Sequence, residues 1–394
     1  MRWLLQIKEI TWMGLTTIPQ RLGSTLVIVV GIAGVVGVLI ALLAMGEGFQ
    51  AVLAQAGRVD EAIVLRKGAD AELNSGLSRE DAVLITQGPG ILRNPGGKPI
   101  VSAEVVVIVN LPKKTTGSDA NVELRGVGPL VWALRTSSRI VEGRAFESGR
   151  RELTVGEGAH SEFAGLEVGA TIRLGQQDWR VVGIFASGDA HESELWGDAE
   201  VVQGAYNRNG YQSVTLKLTD PDAFDTLKAA LSTDPRLTVD VQRTRDYYAT
   251  QSEDLTRLIR ILGVAIAAIM AVGAVFGALN TMYTAVSSRS REIATLRAIG
   301  FSASPVIMAV MLESALLALL GGGIGAGVSW FLFDRYTVST LGANFSQVVF
   351  AFKVSPQLIG NGLLWALAIG LVGGLFPALA AARLPVTVAL RENA

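Results

Sequence analysis

The chain has 394 residues, of which 50% are hydrophobic and only 18% charged, with 44 glycines. An ordinary soluble domain carries about 25% charged residues, so this composition points to the membrane. A formal net charge of −1 provides no electrostatic footprint for nucleic acid, and the absence of cysteine excludes disulfides, thiolate nucleophiles and Cys-based metal sites.

Taken in chain order, residues 3–20 place Trp3, Ile7, Ile10 and Leu15 among polar positions, with Trp12 near the apolar run that follows. This predicts an amphipathic helix within 1–21 lying on the cytoplasmic face of a membrane. Between Arg21 and Glu47 come 25 uncharged residues. A hydrocarbon core ~30 Å thick is spanned by roughly 20 apolar residues in a helix, so 22–46 reads as a first span. Ala44-Met45-Gly46 resembles a signal cleavage site, but the run exceeds the ~7–15 residues of a signal core. A retained anchor is expected.

Residues 47–242 change texture. Short β-branched runs predict strands at 61–66, 100–109, 121–127, 171–174, 179–185, 199–203, 211–218 and 238–242. Ser78 followed by Glu80 and Asp81 opens a helix over 78–87, and Pro221-Asp222 opens another over 221–231. Gly and Pro punctuation marks loops at 88–99 and 110–118. The expectation is an α+β extracytoplasmic domain of two subdomains, the second starting near 129.

The polar stretch 243–257 runs without a breaker into the next apolar run and predicts a helical stalk. Uncharged runs of 28 residues after Arg260, 20 after Glu313 and 29 after Lys353 predict spans at 258–287, 305–333 and 357–381. The fold class is therefore a membrane protein with four transmembrane helices (1 + 3) and a large α+β domain between the first and second. Short segments rich in Lys and Arg face the cytoplasm. They are the N-terminal segment with Arg2, Lys8 and Arg21, the 288–304 loop with Arg289, Arg291 and Arg297, and the 382–394 tail with Arg383 and Arg391. Both termini then lie inside, while 47–257 and the short loop 334–356 lie outside.

Catalytic motifs are scarce. Lys98 in Gly97-Lys98-Pro99 lacks the loop and helix that cradle a phosphate. Asp189, His191, Glu192 and Glu194 can be drawn as a carboxylate–histidine metal site, but a polar surface loop explains them equally well. No enzymatic activity, cofactor or metal is expected on this chain. Glu313 stands beside an apolar run, where an unpaired charge costs ~2.5–3.5 kcal/mol on insertion scales. It is expected to pair with Arg289, Arg291 or Arg297. Small-residue spacings at Gly273/Gly277, Gly321/Gly325 and Gly370/Gly374 predict close helix packing.

The segment SSRSREIATLRAIGFSASPVIMAVMLESALLALLGGGIGAGVSWFL, starting at Ser287, resembles the most recognisable stretch of the MacB/FtsX-like family of ABC transporter permeases. Arg291, Glu292, Ile293, Leu296, Arg297, Ala298 and Gly300 match the family's short basic coupling helix, and Glu313, Gly321, Gly322 and Gly325 match the span after it. The tail is similar through Gly374, Pro377, Ala381, Ala382, Arg383, Pro385, Ala389 and Leu390. The chain begins at the amphipathic helix without a nucleotide-binding domain, so the resemblance implies a split member served by a separate cytosolic ABC ATPase holding the ATP and Mg. It implies Arg291, Glu292, Leu296, Arg297 and Phe301 as the ATPase contact, with Glu313 in support. It further implies a second permease copy, mechanotransmission to the periplasmic domain, and efflux from a bacterial inner membrane through a periplasmic adaptor and outer-membrane channel. An FtsX-like activator of a cell-wall hydrolase, or a lipoprotein-extraction permease, are the alternatives.

Overall fold

A stretch that is apolar on every side has no alternation to favour a strand and no polar stripe, so it forms a long helix buried among other apolar groups or lipid. Four such helices organise the described residues. The computed structural model describes residues 2–342 and 344–383. The side chain of Trp3 and the tail from 384 on, with Pro385, Ala389, Leu390 and Arg391, lie outside the described residues.

The helices are α1 (Arg2–Thr16), α2 (Leu22–Ala56), α3 (Arg79–Thr86), α4 (Val131–Leu134), α5 (Glu157–Glu162), α6 (Ala199–Ala205), α7 (Ala223–Thr233), α8 (Thr244–Ser288), α9 (Ser290–Ala298), α10 (Ala303–Phe333) and α11 (Pro356–Arg383). The strands are β1 (Glu61–Arg66), β2 (Val101–Pro112), β3 (Asp119–Val127), β4 (Arg139–Gly143), β5 (Glu152–Gly156), β6 (Thr171–Leu174), β7 (Gln177–Ala186), β8 (Glu194–Asp198), β9 (Ser213–Lys217), β10 (Val239–Arg243), β11 (Thr337–Leu341) and β12 (Gln347–Ala351). The helices α2, α8, α10 and α11 are long and apolar enough to cross a membrane. The α+β domain is inserted between the first of them and the other three.

Two compact units result. The helical unit comprises residues up to Glu47, Arg257–Tyr336 and those from Phe352 on. Glycine lets its helices approach closely. A Cβ on Gly325 of α10 would run into the Ala33 carbonyl of α2, and one on Gly321 would lie 2.8 Å from the Val29 carbonyl. Ser329 seals this seam by donating to the Gly37 carbonyl at 2.9 Å. Between α10 and α11, a Cβ on Gly370 would meet Ala318, one on Gly374 would lie 2.7 Å from Ser314 Cβ, and Ser314 donates to the Gly370 carbonyl at 2.7 Å. Gly273 of α8 has open space where its Cβ would stand, and Gly277 meets only Val27, at 3.9 Å.

The β unit comprises Gly48–Thr256 and Thr337–Ala351. Its sheet runs β10-β1-β9-β2-β3-β8-β5-β7-β4, with β6 on β7, and is mixed: β3–β8 and β5–β7 are parallel. The long strand β2 is shared along its length, Val101–Glu104 pairing with β9 and Val105–Pro112 with β3. Val105, Leu124, Val214, Leu216, Phe163 and Trp179 fill the core against this sheet.

Three sequence expectations need correction here. Residues 199–203, expected as a strand on their Val-Val pair, open α6. The Asp198 carboxylate accepts from the Glu200 and Val201 amides at 3.0 and 3.1 Å, and this cap decides for helix over β-branching. Asp198→Ala is expected to cost about 1 kcal/mol, read as a lower midpoint of thermal unfolding. Within 110–118, expected as a loop, β2 continues to Pro112. Finally, β4, β5 and β8 are strands absent from the sequence reading, and 334–356 carries the antiparallel hairpin β11–β12, with Val338 opposite Phe350.

Candidate coupling site

The chain turns sharply twice between α8 and α10, and the residues at those turns build the site. α8 ends at Ser288, and α9 is a nine-residue helix stopped by Gly300, whose φ of +104° is open to glycine at little cost. The Phe301 amide donates to the Leu296 carbonyl at 3.1 Å, closing the helix end. Ile293 and Ala294 are buried in the helical unit, and Leu296 and Phe301 are half-buried against the same core. Arg291 and Glu292 are exposed, as is Ile299 at 70%. The short helix thus turns one apolar edge inward and leaves a charged edge with an apolar side chain outside.

Beside it sits a buried charge clamp. Glu313 on α10 is only 2% exposed and accepts from Arg289 Nη2 at 2.7 Å. Arg21, from the tight turn Ile18–Arg21 between α1 and α2, forms an ion pair with the other carboxylate oxygen. Arg289 also donates through Nε to the Ala285 carbonyl at 3.2 Å. Gly14 of α1 closes the site: a Cβ there would stand 2.6 Å from both Arg289 Nη1 and Glu313 Oε2. Of the three partners expected for Glu313, Arg289 is the one used. Arg21, read in the sequence only as an orienting charge, is the second. Arg289 immediately precedes α9, so the clamp ties the root of the exposed helix to α10 and to the α1–α2 turn.

The β unit holds a second charge centre, which the sequence reading missed. Arg125 of β3 is buried among four carboxylates. It donates to Glu194 through Nε at 2.9 Å, to Glu72 and Glu104 through Nη1 at 2.8 Å each, and to Glu123 through Nη2. Arg135 donates to Glu104 at 2.9 Å, Ser213 to Glu72 at 2.6 Å and Trp196 to Glu194 at 2.7 Å. Burial alone would push the Glu104 carboxyl up, but Arg135 and Arg125 outweigh it and hold it at about 2. Burial prevails at Glu123 and pushes it up to about 7, helped by the charges of Glu194 and Glu72 against the pull of Arg125.

The segment 189–194, expected as a polar surface loop, is buried and belongs to this network. His191 Nδ1 lies 2.9 Å from Asp189 Oδ1 and its Nε2 lies 3.2 Å from the Tyr248 hydroxyl. Glu194 is turned to Arg125, and Glu192 accepts from the Ser187 and Gly188 amides at 2.8 and 2.7 Å. These side chains are engaged with protein groups rather than converging on a metal position.

Two family matches cover most of the chain. The MacB-like periplasmic core domain matches residues 25–234, more than half of it, and the FtsX-like permease C-terminal domain matches 264–386. The chain belongs to the MacB/FtsX-like ABC transporter permease family. A macrolide export ATP-binding/permease protein MacB from Pasteurella multocida (strain Pm70) is 28% identical over 404 residues, covering 95% of this permease and 58% of that protein. An uncharacterized ABC transporter permease YknZ from Bacillus subtilis (strain 168) is 24% identical over 209 residues, covering 50% of this chain and 49% of the other. The chain spans about half the length of the curated relatives it matches. Among solved structures, the periplasmic region of MacB from Actinobacillus actinomycetemcomitans aligns with a TM-score of 0.38 at 15% identity, covering 50% of this chain and 95% of that one.

Proposed function

We propose that this permease couples ATP hydrolysis, carried out by a cytosolic ABC ATPase docked on α9, to movement of its β unit, and that this movement drives efflux through a periplasmic adaptor and an outer-membrane channel. The observation that carries the reading is the construction of α9. It is a short helix with Arg291 and Glu292 outward and Ile299 exposed just past its end, rooted through Arg289 in a buried ion pair. A docked ATPase would hold these exposed groups, with Arg297 beside them and Leu296 and Phe301 setting the helix against the core. No phosphate-cradling loop of the GxxxxGK[ST] type occurs in the 394 residues, so the ATP and Mg are assigned to the ATPase.

A second permease copy is assigned to the α8 face that carries Gly273, Gly277, Ile269 and Phe276. Ile269 and Phe276 are 74% and 67% exposed there. In this reading both termini are cytoplasmic, as the basic segments with Arg21 and with Arg289, Arg291 and Arg297 favour, and the β unit lies in the periplasm of a two-membrane bacterium.

The test is purification of the tagged chain from native membranes in mild detergent, with identification of what accompanies it. An ABC ATPase together with an adaptor is the expected result. An ATPase accompanied by a hydrolase or a lipoprotein would overturn the efflux part, and no ATPase would overturn the whole reading. Ile299→Asp is expected to weaken the ATPase association about 30-fold, the effect of losing an anchor worth ~2 kcal/mol. Its thermal unfolding should stay that of the parent, because Ile299 contributes little to the core.

A further inference from the structure

Within the apolar run of α8, side chains divide between two sides of the helix. Gly263, Ala267, Ala271, Ala278, Met282 and Ala285 are buried in the helical unit. Opposite them runs an exposed seam that advances by alternating steps of four and three. Leu262, Ile269, Phe276 and Tyr283 recur along it seven apart. Ile266, Gly273 and Asn280 alternate with them, also seven apart and also exposed.

Asn280 is the polar member of this apolar row. The run between Arg260 and Arg289 is uncharged, and Asn280 lies about 8 Å from its middle at ~1.5 Å per residue. A hydrocarbon core ~30 Å thick, centred on that run, encloses it. The Asn280 side chain makes no hydrogen bond to any described group; the bond at this position is the Thr284 hydroxyl donating to the Asn280 backbone carbonyl at 3.0 Å. Lipid tails offer an amide neither donor nor acceptor, so a neighbouring helix has to supply both.

Building on the second copy assigned to this face above, we propose that the partner of Asn280 is Asn280 of that second copy, and that the facing amides set the register of the pair and select an identical chain.

The spacing is the first reason. Positions recurring every 3.5 residues are those by which one helix packs along another, whereas contact with lipid imposes no period. Symmetry is the second. Two copies inserted the same way are related by a two-fold axis along the membrane normal, so their α8 helices run parallel and equal residues meet at equal depth. The third is chemical. An amide is its own complement, each carbonyl accepting from the other's N–H. A single Asn among the apolar seam positions of a parallel helix pair fixes register and partner number in this way. A Cβ on Gly273, one repeat away, would meet nothing within 4 Å, which leaves room for the two backbones to approach. A slip along the seam, or a different chain with an apolar residue at this place, would leave the amide unpaired in hydrocarbon, and that penalty supplies the selection.

The 394 residues contain no cysteine, so single cysteines report the pairing of the full chain in native membranes. Under copper–phenanthroline, Ile269→Cys and Phe276→Cys are expected to give a disulfide-linked two-copy product, and Ala268→Cys, exposed but off the seam, to give little. Adding Asn280→Val to Ile269→Cys is expected to weaken association about 3–20-fold, the range of a hydrogen bond between membrane helices, read as product yield while the membranes are diluted with added lipid. Asn280→Gln should keep part of it. When the parent and Asn280→Val are co-expressed with different tags, mixed pairs should fall below their statistical share. The side chain points away from the bundle core, so Asn280→Val should keep the parent's thermal midpoint in detergent. A yield that ignores Asn280→Val, or mixed pairs at their statistical share, would overturn the Asn280 bond while leaving the second copy on α8 in place. No two-copy product at either seam cysteine, or a product with a different membrane protein, would overturn both.

Discussion

Arg125→Met is expected to destabilise the β unit by about 3–5 kcal/mol at pH 7.5, the cost of leaving buried charges without their partner. Domains are stable by only ~5–15 kcal/mol, so this is a large fraction of what holds the sheet. For a unit of this size it corresponds to a drop in Tm of roughly 6–20 °C. The pH dependence should be distinctive. Without the guanidinium, Glu72 and Glu123 lose the charge that opposes their desolvation, so burial raises their native pKa values above the unfolded ones. Groups raised in this way stabilise the fold only while protonated, so the variant should recover on acidification from pH 7.5 to 5.5. Glu104 behaves oppositely, since its carboxyl stays low beside Arg135. In the parent, where Arg125 also faces it, its contribution is present above about 4.5 and fades only as pH falls towards about 2. Arg125→Lys should rescue little, because an ammonium cannot reach four carboxylates with a planar fork. Adding Glu123→Gln and Glu194→Gln to Arg125→Met should restore much of the loss. Thermal unfolding of the full chain in detergent at the two pH values measures all of this, and a parent-like midpoint for Arg125→Met at pH 7.5 would exclude the charge centre as a structural keystone.

How far the sequence carried this reading depends on the range of the interaction concerned. The four long helices were legible because a charge-free run of 20 or more residues reports its own environment. So were β1, β6 and α3, whose signals are local; Ser78 and Asp81 form the capping box that the Ser-Glu-Asp run announces. The strand expected at 199–203 failed because two adjacent valines outweighed an aspartate one residue outside the window. Arg21 was invisible as a partner of Glu313 because 292 positions separate them and nothing in either neighbourhood records the pairing. The Arg125 centre left one faint trace. Glu123 and Arg125 stand two apart on a predicted strand, hence on one face, in a segment with Val122 and Leu124 on the other. Charged residues on one face normally mean solvent, and only the partners brought by β2, β8 and the Glu72–Asn74 turn make that face an interior.

The coupling site carries the same lesson to function. The motif around Arg291–Gly300 suggests a docking helix by resemblance, but which of its side chains face outward is decided by tertiary packing. Ile293 and Ala294 are spent on the core, and Leu296 and Phe301 half so. The large apolar residue left exposed is Ile299, one of several apolar positions in the segment, and only packing sets it apart from Ile293 and Leu296. The clamp behind the helix, by contrast, uses residues whose charge is costly inside a membrane-spanning bundle, and that cost makes its removal informative.

Glu313→Leu is expected to lower the stability of the helical unit by about 3–5 kcal/mol, because it leaves Arg21 and Arg289 facing each other without a counter-charge. Replacing all three, as Arg21→Met, Arg289→Met and Glu313→Leu together, should cost less than the single change, since an apolar set of similar volume needs no compensation. A double-mutant cycle between Arg289 and Glu313 should give a coupling on the order of 1–3 kcal/mol. Thermal unfolding in one detergent measures each variant, and a Glu313→Leu midpoint equal to the parent's would show that the clamp holds nothing. The triple variant then separates stability from function. It keeps the bundle folded but frees the root of α9, so ATP hydrolysis by the docked ATPase should lose its response to the permease about tenfold, the size of a ~1.4 kcal/mol coupling. If the triple variant is stable and its ATPase response is intact, Glu313 serves folding alone and motion reaches the spans by another path. If stability returns while the response stays lost, the ion pair is the joint through which α9 moves α10.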